Sequence, residues 1–408
     1  MDEQRQEAYQ NRPLRPTLSR RQRAALFKRE VTTYLTFFGR RGRPWRELVF
    51  YAAQAQYISF YEGLLPELGQ RGAKIGYITS DHDDPILSTH PDYLVPFYFD
   101  ALFPFVLPFL DAKVVVMTMP DLNQFHVRRS IFETNHVYLF HSLMSTHMGF
   151  RPGALDHFDT ILCTGPHHKE EIQRTEKLYS LKPKCLLESG YYRLEKIYAD
   201  HQHYRQTSDA EGVTTPCVLI APSGHDTNIV STCARELLAT VLDAGFDVVF
   251  RPHPMTIYRR PEQLRPLLEE FGTHENFSLD VETVSEESLH RADVLISDWS
   301  GVALEYAFGT ERPVLFIDLP RRQQNPEYER VGIPAIEVFL RDKIGRIVRL
   351  DEISQIGHII REVLGQRKRY CEEIIRLRPR YVYNFGNSSK IAADLIMKIY
   401  DGTVCSSL

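Results

Sequence analysis

The sequence predicts an α/β protein of two doubly wound, parallel-sheet domains that face each other, and three observations carry that expectation. Short apolar runs alternate with helical patterns along the chain, which is how strands covered on both faces by helices are written. Several of those runs empty into turns of small or polar residues, the places where open parallel sheets present ligand sites. The chain has 408 residues, 43% of them hydrophobic and 25% charged, which is ample for two cores and ordinary for a globular protein.

Residues 1–45 precede the first strand. From Asn11 to Arg46 eleven Arg and Lys stand against Glu30 alone, with Leu26, Phe27, Tyr34, Leu35, Phe37 and Phe38 interleaved. Such a basic arm suits an anionic membrane surface, or folds as a helix onto the body. The rest of the chain is acidic enough to bring the net charge to −4, and no recognition motif follows, so nucleic acid is not expected as a partner.

Leu48–Ala52 reads as a first strand, followed by a helical stretch from Tyr57 to Gly69 and a second strand from Lys74 to Ser80, together a βαβ unit. Tyr93 to Leu110 is strongly apolar, yet Pro96, Asp100, Pro104 and Pro108 interrupt it. A spanning helix wants about 20 uninterrupted apolar residues, so this reads as a buried or interfacial segment. Further strands are expected at Lys113–Met119, at Val137–Phe140 leading to His141, and at Thr160–Thr164 leading to Gly165-Pro166, completing a domain over 46–195. A polar stretch, 196–216, reads as a linker. A second domain over 217–385 holds strands at Cys217–Ala221, Phe246–Phe250, Asp293–Ser297 and Val314–Ile317, with a helix at Thr232–Leu242. The last segment, 386–408, carries a helix from Ile391 to Tyr400.

The chemistry gathers at two strand ends. Asp293 to Ser297 runs into Asp298-Trp299-Ser300-Gly301 and a helix. Hydroxyls and free backbone N–H groups at a helix start bind anions well, although an ordinary N-cap uses the same residues. Upstream, Phe246–Phe250 ends in Arg251-Pro252-His253-Pro254, where two prolines hold His253 in a rigid loop. Ser80 to Asp84 has a metal-like composition but reads as a polar loop, and no metal site is expected. The six cysteines show no zinc spacing and read as reduced residues of a cytosolic protein.

Arg251-Pro252-His253-Pro254 followed by Ser297-Asp298-Trp299-Ser300-Gly301 resembles the paired motifs of the CDP-glycerol glycerophosphotransferases, the teichoic-acid primase and polymerase family. Gly190-Tyr191-Tyr192-Arg193-Leu194-Glu195 is similar to that family's Gly-x-Pro-Arg-x-Asp segment, and Ile220-Ala221-Pro222-Ser223 to its Ala-Pro-Thr-Trp-Arg strand end. Phe140-His141-Ser142 stands where the family has Trp-His-Gly. The departures are Ser142 for Gly, Gly224-His225 for Trp-Arg, and His147 as the nearest candidate for a further basic residue.

The resemblance implies a GT-B fold with an acceptor domain, a nucleotide-donor domain and a C-terminal helix that crosses back. It implies transfer of glycerol phosphate or ribitol phosphate from a CDP-alditol to an acceptor hydroxyl, in synthesis of a teichoic-acid-like or capsular polymer, with no cofactor. The acceptor would be a polyol phosphate, a glycan or a lipid-linked species. His141 would be the general base, and His253 with Arg251 would stabilise phosphate charge. Pro222, Ser223, Ser297, Asp298, Ser300 and Gly301 would hold the nucleotide and its diphosphate, with Glu305 on the ribose. Ser142, His147 and His167 would line the acceptor side. A nucleotide-sugar glycosyltransferase and a non-catalytic nucleotide-binding scaffold are the alternatives. No secretory leader is evident, so the expected location is the cytoplasm, peripheral to the inner face of the membrane.

Overall fold

The computed structural model describes residues 18–125, 127–208, 215–281 and 286–405; the expectations for residues 1–17 and for the linker residues 209–214 lie outside it. Two all-parallel sheets form its frame. The first has seven strands: β1 (Leu48–Ala52), β2 (Ile75–Thr79), β3 (Leu94–Tyr98), β4 (Val114–Met117), β5 (Asn135–Leu139), β6 (Thr160–Cys163) and β7 (Cys185–Glu188), in spatial order 3-2-1-4-5-6-7. The second has six: β8 (Cys217–Ile220), β9 (Asp247–Phe250), β10 (Phe277–Leu279), β11 (Val294–Ser297), β12 (Val314–Ile317) and β13 (Gly345–Val348), in order 10-9-8-11-12-13. Each order reverses once, at β1/β4 and at β8/β11, and the crevices above those switch points are where such sheets take ligands.

Residues of the inner strands are buried on both faces, as in Val114–Met117 and Val294–Ser297. Helices supply the covering layers, and the two sheets keep separate cores, one around Val218, Leu295 and Leu315 and two on the faces of the first sheet. The final helix, Ser388–Tyr400, returns to the first sheet: Ala392, Ala393 and Ile396 join the core with Leu48 and Val114. Arg71 pairs with Asp394 at 2.8 Å, and Tyr400 donates to Glu47.

Three expectations change. Residues 196–208 are not linker but belong to a 17-residue helix, Tyr192–Ser208, which packs on the Val302–Thr310 helix. Tyr93–Leu110, expected as one buried or interfacial segment, is largely buried but divided into an edge strand and the short turns Phe103–Val106 and Leu107–Phe109, because its prolines break it into pieces. Cys185 and Cys405 form a disulfide across 220 residues of sequence, brought together by the returning C-terminal helix, while Cys163, Cys217, Cys233 and Cys371 are free. Among the described residues no helix is long and apolar enough to cross a membrane.

Candidate active site

His141 lies just beyond β5, at the carboxyl edge of the first sheet, and its environment sets its protonation. Nδ1 is 2.9 Å from the Thr118 carbonyl oxygen, which can only accept, so the proton sits on Nδ1 and Nε2 keeps its lone pair. Tyr57, Phe60 and Phe150 surround the ring at centroid distances of 6.5, 6.0 and 6.3 Å. Burial lowers its pKa below the ordinary histidine value, partly offset by the Thr118 carbonyl and by Glu305. At neutral pH His141 is therefore an uncharged imidazole with a basic nitrogen.

His253, beyond β9, has the opposite tautomer. Its Nδ1 accepts the Met255 N–H at 3.1 Å, capping the helix Pro254–Arg259, so the proton is on Nε2. Burial, followed by the Arg322 charge, brings its pKa down to about 4. One histidine thus offers a base and the other a neutral N–H donor.

Gly224 explains part of the departure at the β8 end. A Cβ there would stand 2.5 Å from His253 Nδ1, so the backbone passes directly against the ring. Gly224→Ala is expected to push the imidazole out of place and slow turnover roughly 100-fold, the scale of a 1 Å misplacement, with little change in thermal midpoint; steady-state kinetics beside a melt would check this.

The Ser-Asp-Trp-Ser-Gly turn divides into scaffold and open edge. Ser297 and Asp298 are almost fully buried. Ser297 Oγ donates to the Ala221 carbonyl at 2.6 Å, and Asp298 accepts the Ser223 and Ile229 N–H groups at 2.8 and 3.0 Å. These two residues tie the β11 turn to the β8 turn, a correction to their expected contact with donor phosphate. Pro222 and Ser223 are buried in the same tie. Asp298→Ala would strand two buried N–H groups, each costing about 1–3 kcal/mol, and chemical denaturation is expected to show a loss of that combined order. Ser300 and Gly301 are partly exposed at the start of the helix Val302–Thr310, with Gly301 as its N-cap. They form the open edge of the turn.

The remaining expected ligands are largely engaged. Arg251 donates to Ser288 Oγ at 2.8 Å and pairs with Asp280 at 3.4 Å, which anchors it within its own domain. Glu305 accepts from Tyr191 Oη at 2.6 Å and pairs with Arg193 at 3.3 Å, and Arg193 also reaches Glu286 at 3.0 Å. Both Glu305 oxygens thus bind the Gly190–Glu195 segment to the donor-side helix, a correction to its expected ribose role.

On the opposite side of the cleft, Ser142 Oγ accepts the Met144 N–H at 3.1 Å and lies 2.7 Å from where a Gly301 Cβ would be. The loop after His141 therefore touches the Ser300-Gly301 turn. His147 and His167 do not line an acceptor site; both are buried and build that loop. His147 Nε2 donates to the Ile333 carbonyl at 3.1 Å and its Nδ1 faces Glu171 at 3.4 Å, while His167 Nε2 donates to the Leu143 carbonyl at 2.9 Å. Ser145 donates through N and Oγ to Glu337 at 2.9 and 2.7 Å, a buried tie from the second sheet's domain to the same loop.

Arg322, in the loop after β12, is the residue that sequence reasoning missed. Its charge acts on both His141 and His253, and in turn feels Asp298 and Glu337. Neither a motif nor a strand end marks it, since Arg321-Arg322 lies within a polar loop.

Among the described residues two groups bring three metal-competent atoms within 4.8 Å: Asp81, His82 and Asp83, and Asp200, Glu286 and His290. In the second, Lys196 and Arg193 already pair with the carboxylates at 2.5 and 3.0 Å.

Comparisons agree with this fold. The wall teichoic acid polymerase TagF superposes with a TM-score of 0.61 at 16% identity, covering 93% of this chain and 98% of that one. A histidine-to-asparagine variant of TagF soaked with CDPG gives 0.59 at 15% identity, over 93% and 95%. UDP-GlcNAc 2-epimerase from Neisseria meningitidis gives 0.53 at 13% identity, over 86% and 99%. These likenesses establish the GT-B fold. No curated protein matches the sequence. The family profile described as CDP-Glycerol:Poly(glycerophosphate) glycerophosphotransferase matches residues 105–329, more than half of the chain and both histidine loops. The protein is a member of the CDP-glycerol glycerophosphotransferase family.

Proposed function

We propose that the protein transfers glycerol phosphate or ribitol phosphate from its CDP-alditol to an acceptor hydroxyl, in the assembly of a phosphate-containing surface polymer. The single observation that carries this reading is the pair of neutral histidines with opposite tautomers at facing strand ends, beside the Ser300-Gly301 turn. The acceptor hydroxyl gives its proton to His141 Nε2 while its oxygen bonds to the β-phosphorus. The bond from that phosphorus to the bridging oxygen breaks, and CMP leaves with the electron pair. His253 Nε2–H holds the negative charge as it shifts onto the leaving phosphate, with the Arg322 charge supporting it. Positioning and charge neutralisation are what such a transfer needs, and side chains supply both without a cofactor.

The aromatic frame of Tyr57, Phe60 and Phe150 around His141 suits an acceptor with a carbon face, such as a sugar ring, better than a bare polyanion. The test is donor and acceptor competition. CMP release from CDP-glycerol or CDP-ribitol, stimulated more by a glycan acceptor than by oligomeric glycerol phosphate, is the expected result. Turnover of a UDP-sugar instead would make the protein a glycosyltransferase on the same fold.

A further inference from the structure

The loop 142–149, which follows His141, divides its polar groups between the domains of the two sheets. On its own side, the Leu143 and Met144 carbonyls accept from His167 and His168 Nε2 at 2.9 and 2.8 Å, and Thr146 donates through N and Oγ1 to Glu171 at 2.6 and 2.8 Å. Across the cleft it meets the segment 321–338, between β12 and β13. The Gln324 N–H donates to the Met148 carbonyl at 2.9 Å, Asn325 Nδ2 to the His147 carbonyl at 3.0 Å, and His147 Nε2 to the Ile333 carbonyl at 3.1 Å. Met148 is buried with Tyr328 and Ala335 of that segment.

Glu337 closes this contact. It is buried in the short helix Ile336–Phe339, whose Ile336 belongs to the second sheet's core. Its two oxygens accept the Ser145 N–H at 2.9 Å and the Ser145 hydroxyl at 2.7 Å, across 192 residues of sequence. Paired bonds to one carboxylate fix orientation as well as distance.

The same segment carries Arg322, shortly before Gln324. Among the described residues its guanidinium has no hydrogen-bond or ion-pair partner, so its place is set by the backbone that bears it. His141, by contrast, is held within its own domain by the Thr118 carbonyl. Where Arg322 stands relative to His141 therefore depends on the contact that Glu337 closes.

We propose that Glu337 is a positioning residue for the transfer reaction proposed above, on which this role rests: through Ser145 it fastens the loop after His141 to the segment that bears Arg322. The base and the guanidinium then meet the donor in one arrangement. Glu337 lies beyond residues 105–329, the part of the chain that the family profile matches.

The test combines amide hydrogen exchange with single-turnover kinetics on the full chain. Glu337→Ala should raise exchange at least about tenfold in both 142–149 and 321–326, while β4 and β11 keep their protection. It should lower kcat for CMP release about 10-fold to 100-fold, the scale of a misplacement near 1 Å, with CDP-glycerol affinity unchanged. Glu337→Gln, which can accept the Ser145 N–H and donate to the Ser145 hydroxyl, should recover most of both. Combined with Arg322→Ala, the double variant should be no slower than Arg322→Ala alone, whereas independent structural damage would multiply the two losses. Where Glu337→Ala fails to fold, Ser145→Ala removes one of the two bonds and carries the same measurements, with a loss of about fivefold, the scale of one hydrogen bond. Multiplying losses, no recovery by Glu337→Gln, exchange that rises over the whole chain, or unchanged exchange in 321–326 overturns the proposal. A parent that turns over a UDP-sugar in place of the CDP-alditols contradicts the proposed reaction alone; the same cycle read on that donor, with the exchange result, still decides the role of Glu337.

Discussion

His141→Ala is expected to lower kcat by roughly 100-fold to 10,000-fold, the usual contribution of a positioned general base, while CDP-glycerol binds as in the parent. The proton on Nδ1 is fixed by the Thr118 carbonyl, so only Nε2 can take the acceptor's proton. Because burial lowers the pKa of this imidazole below its ordinary value, the base stays deprotonated at pH values where a free histidine would already be charged. The acid limb of the kcat profile should therefore fall below pH 6.5, and His141→Ala should abolish that limb along with most of the rate. Single-turnover CMP release between pH 4.5 and 8.5 measures both. A substitution at Thr118 cannot stand in, since the partner is a backbone carbonyl.

Loss of the second histidine acts differently. His253→Ala is expected to cost about 100-fold to 1,000-fold in kcat, the scale of removing one preorganised donor from developing charge. Its ring donates from Nε2 as a neutral group, and with a pKa of about 4 it does not titrate between pH 5 and 8, so no pH-dependence of the rate in that range should trace to it. His253→Gln, whose amide N–H reaches about as far as Nε2, should recover part of the loss, while His253→Asn, which keeps only the cap on the Met255 N–H, should not; recovery by Asn would mean the ring serves only to cap Pro254–Arg259.

The same shift has a stability consequence. The folded pKa lies below the unfolded one, so between about pH 6.5 and 4 the unfolded chain binds more protons and stability falls as pH falls; it is fully retained above that window. Denaturation midpoints of His253→Ala should show a shallower slope there.

The interior of the fold was legible in the sequence and its margins were not. Val114–Met117, Val294–Ser297 and Val314–Ile317 are unbroken apolar runs because helices cover both faces, and they are found as strands. The four strands that pattern reading left out, β3, β7, β10 and β13, are the four edges of the two sheets. An edge strand is only partly buried, as in Leu94–Tyr98 with Pro96 at its centre and in Gly345–Val348, so its sequence loses the continuous run that marks an inner strand.

The site divides the same way. His141 and His253 were legible because each ends a clear strand in a rigid or polar turn. What was not legible is which polar groups are already spent: Asp298 on two N–H groups, Glu305 on Tyr191 and Arg193, His147 and His167 on the loop behind Ser142. Those partners lie from 24 to 186 residues away in sequence, beyond the reach of local spacing. Arg322 was missed for the same reason, since its charge acts on both histidines from a loop that no motif marks.

The most direct measurement is CMP release from CDP-glycerol with a glycan acceptor, run on the parent protein and His141→Ala, with calorimetric binding of CDP-glycerol to each. Equal donor affinity with CMP release lost in the variant is the predicted result. CMP release that persists in His141→Ala, or a donor site that prefers UDP-sugars over CDP-glycerol, would contradict the proposed reaction.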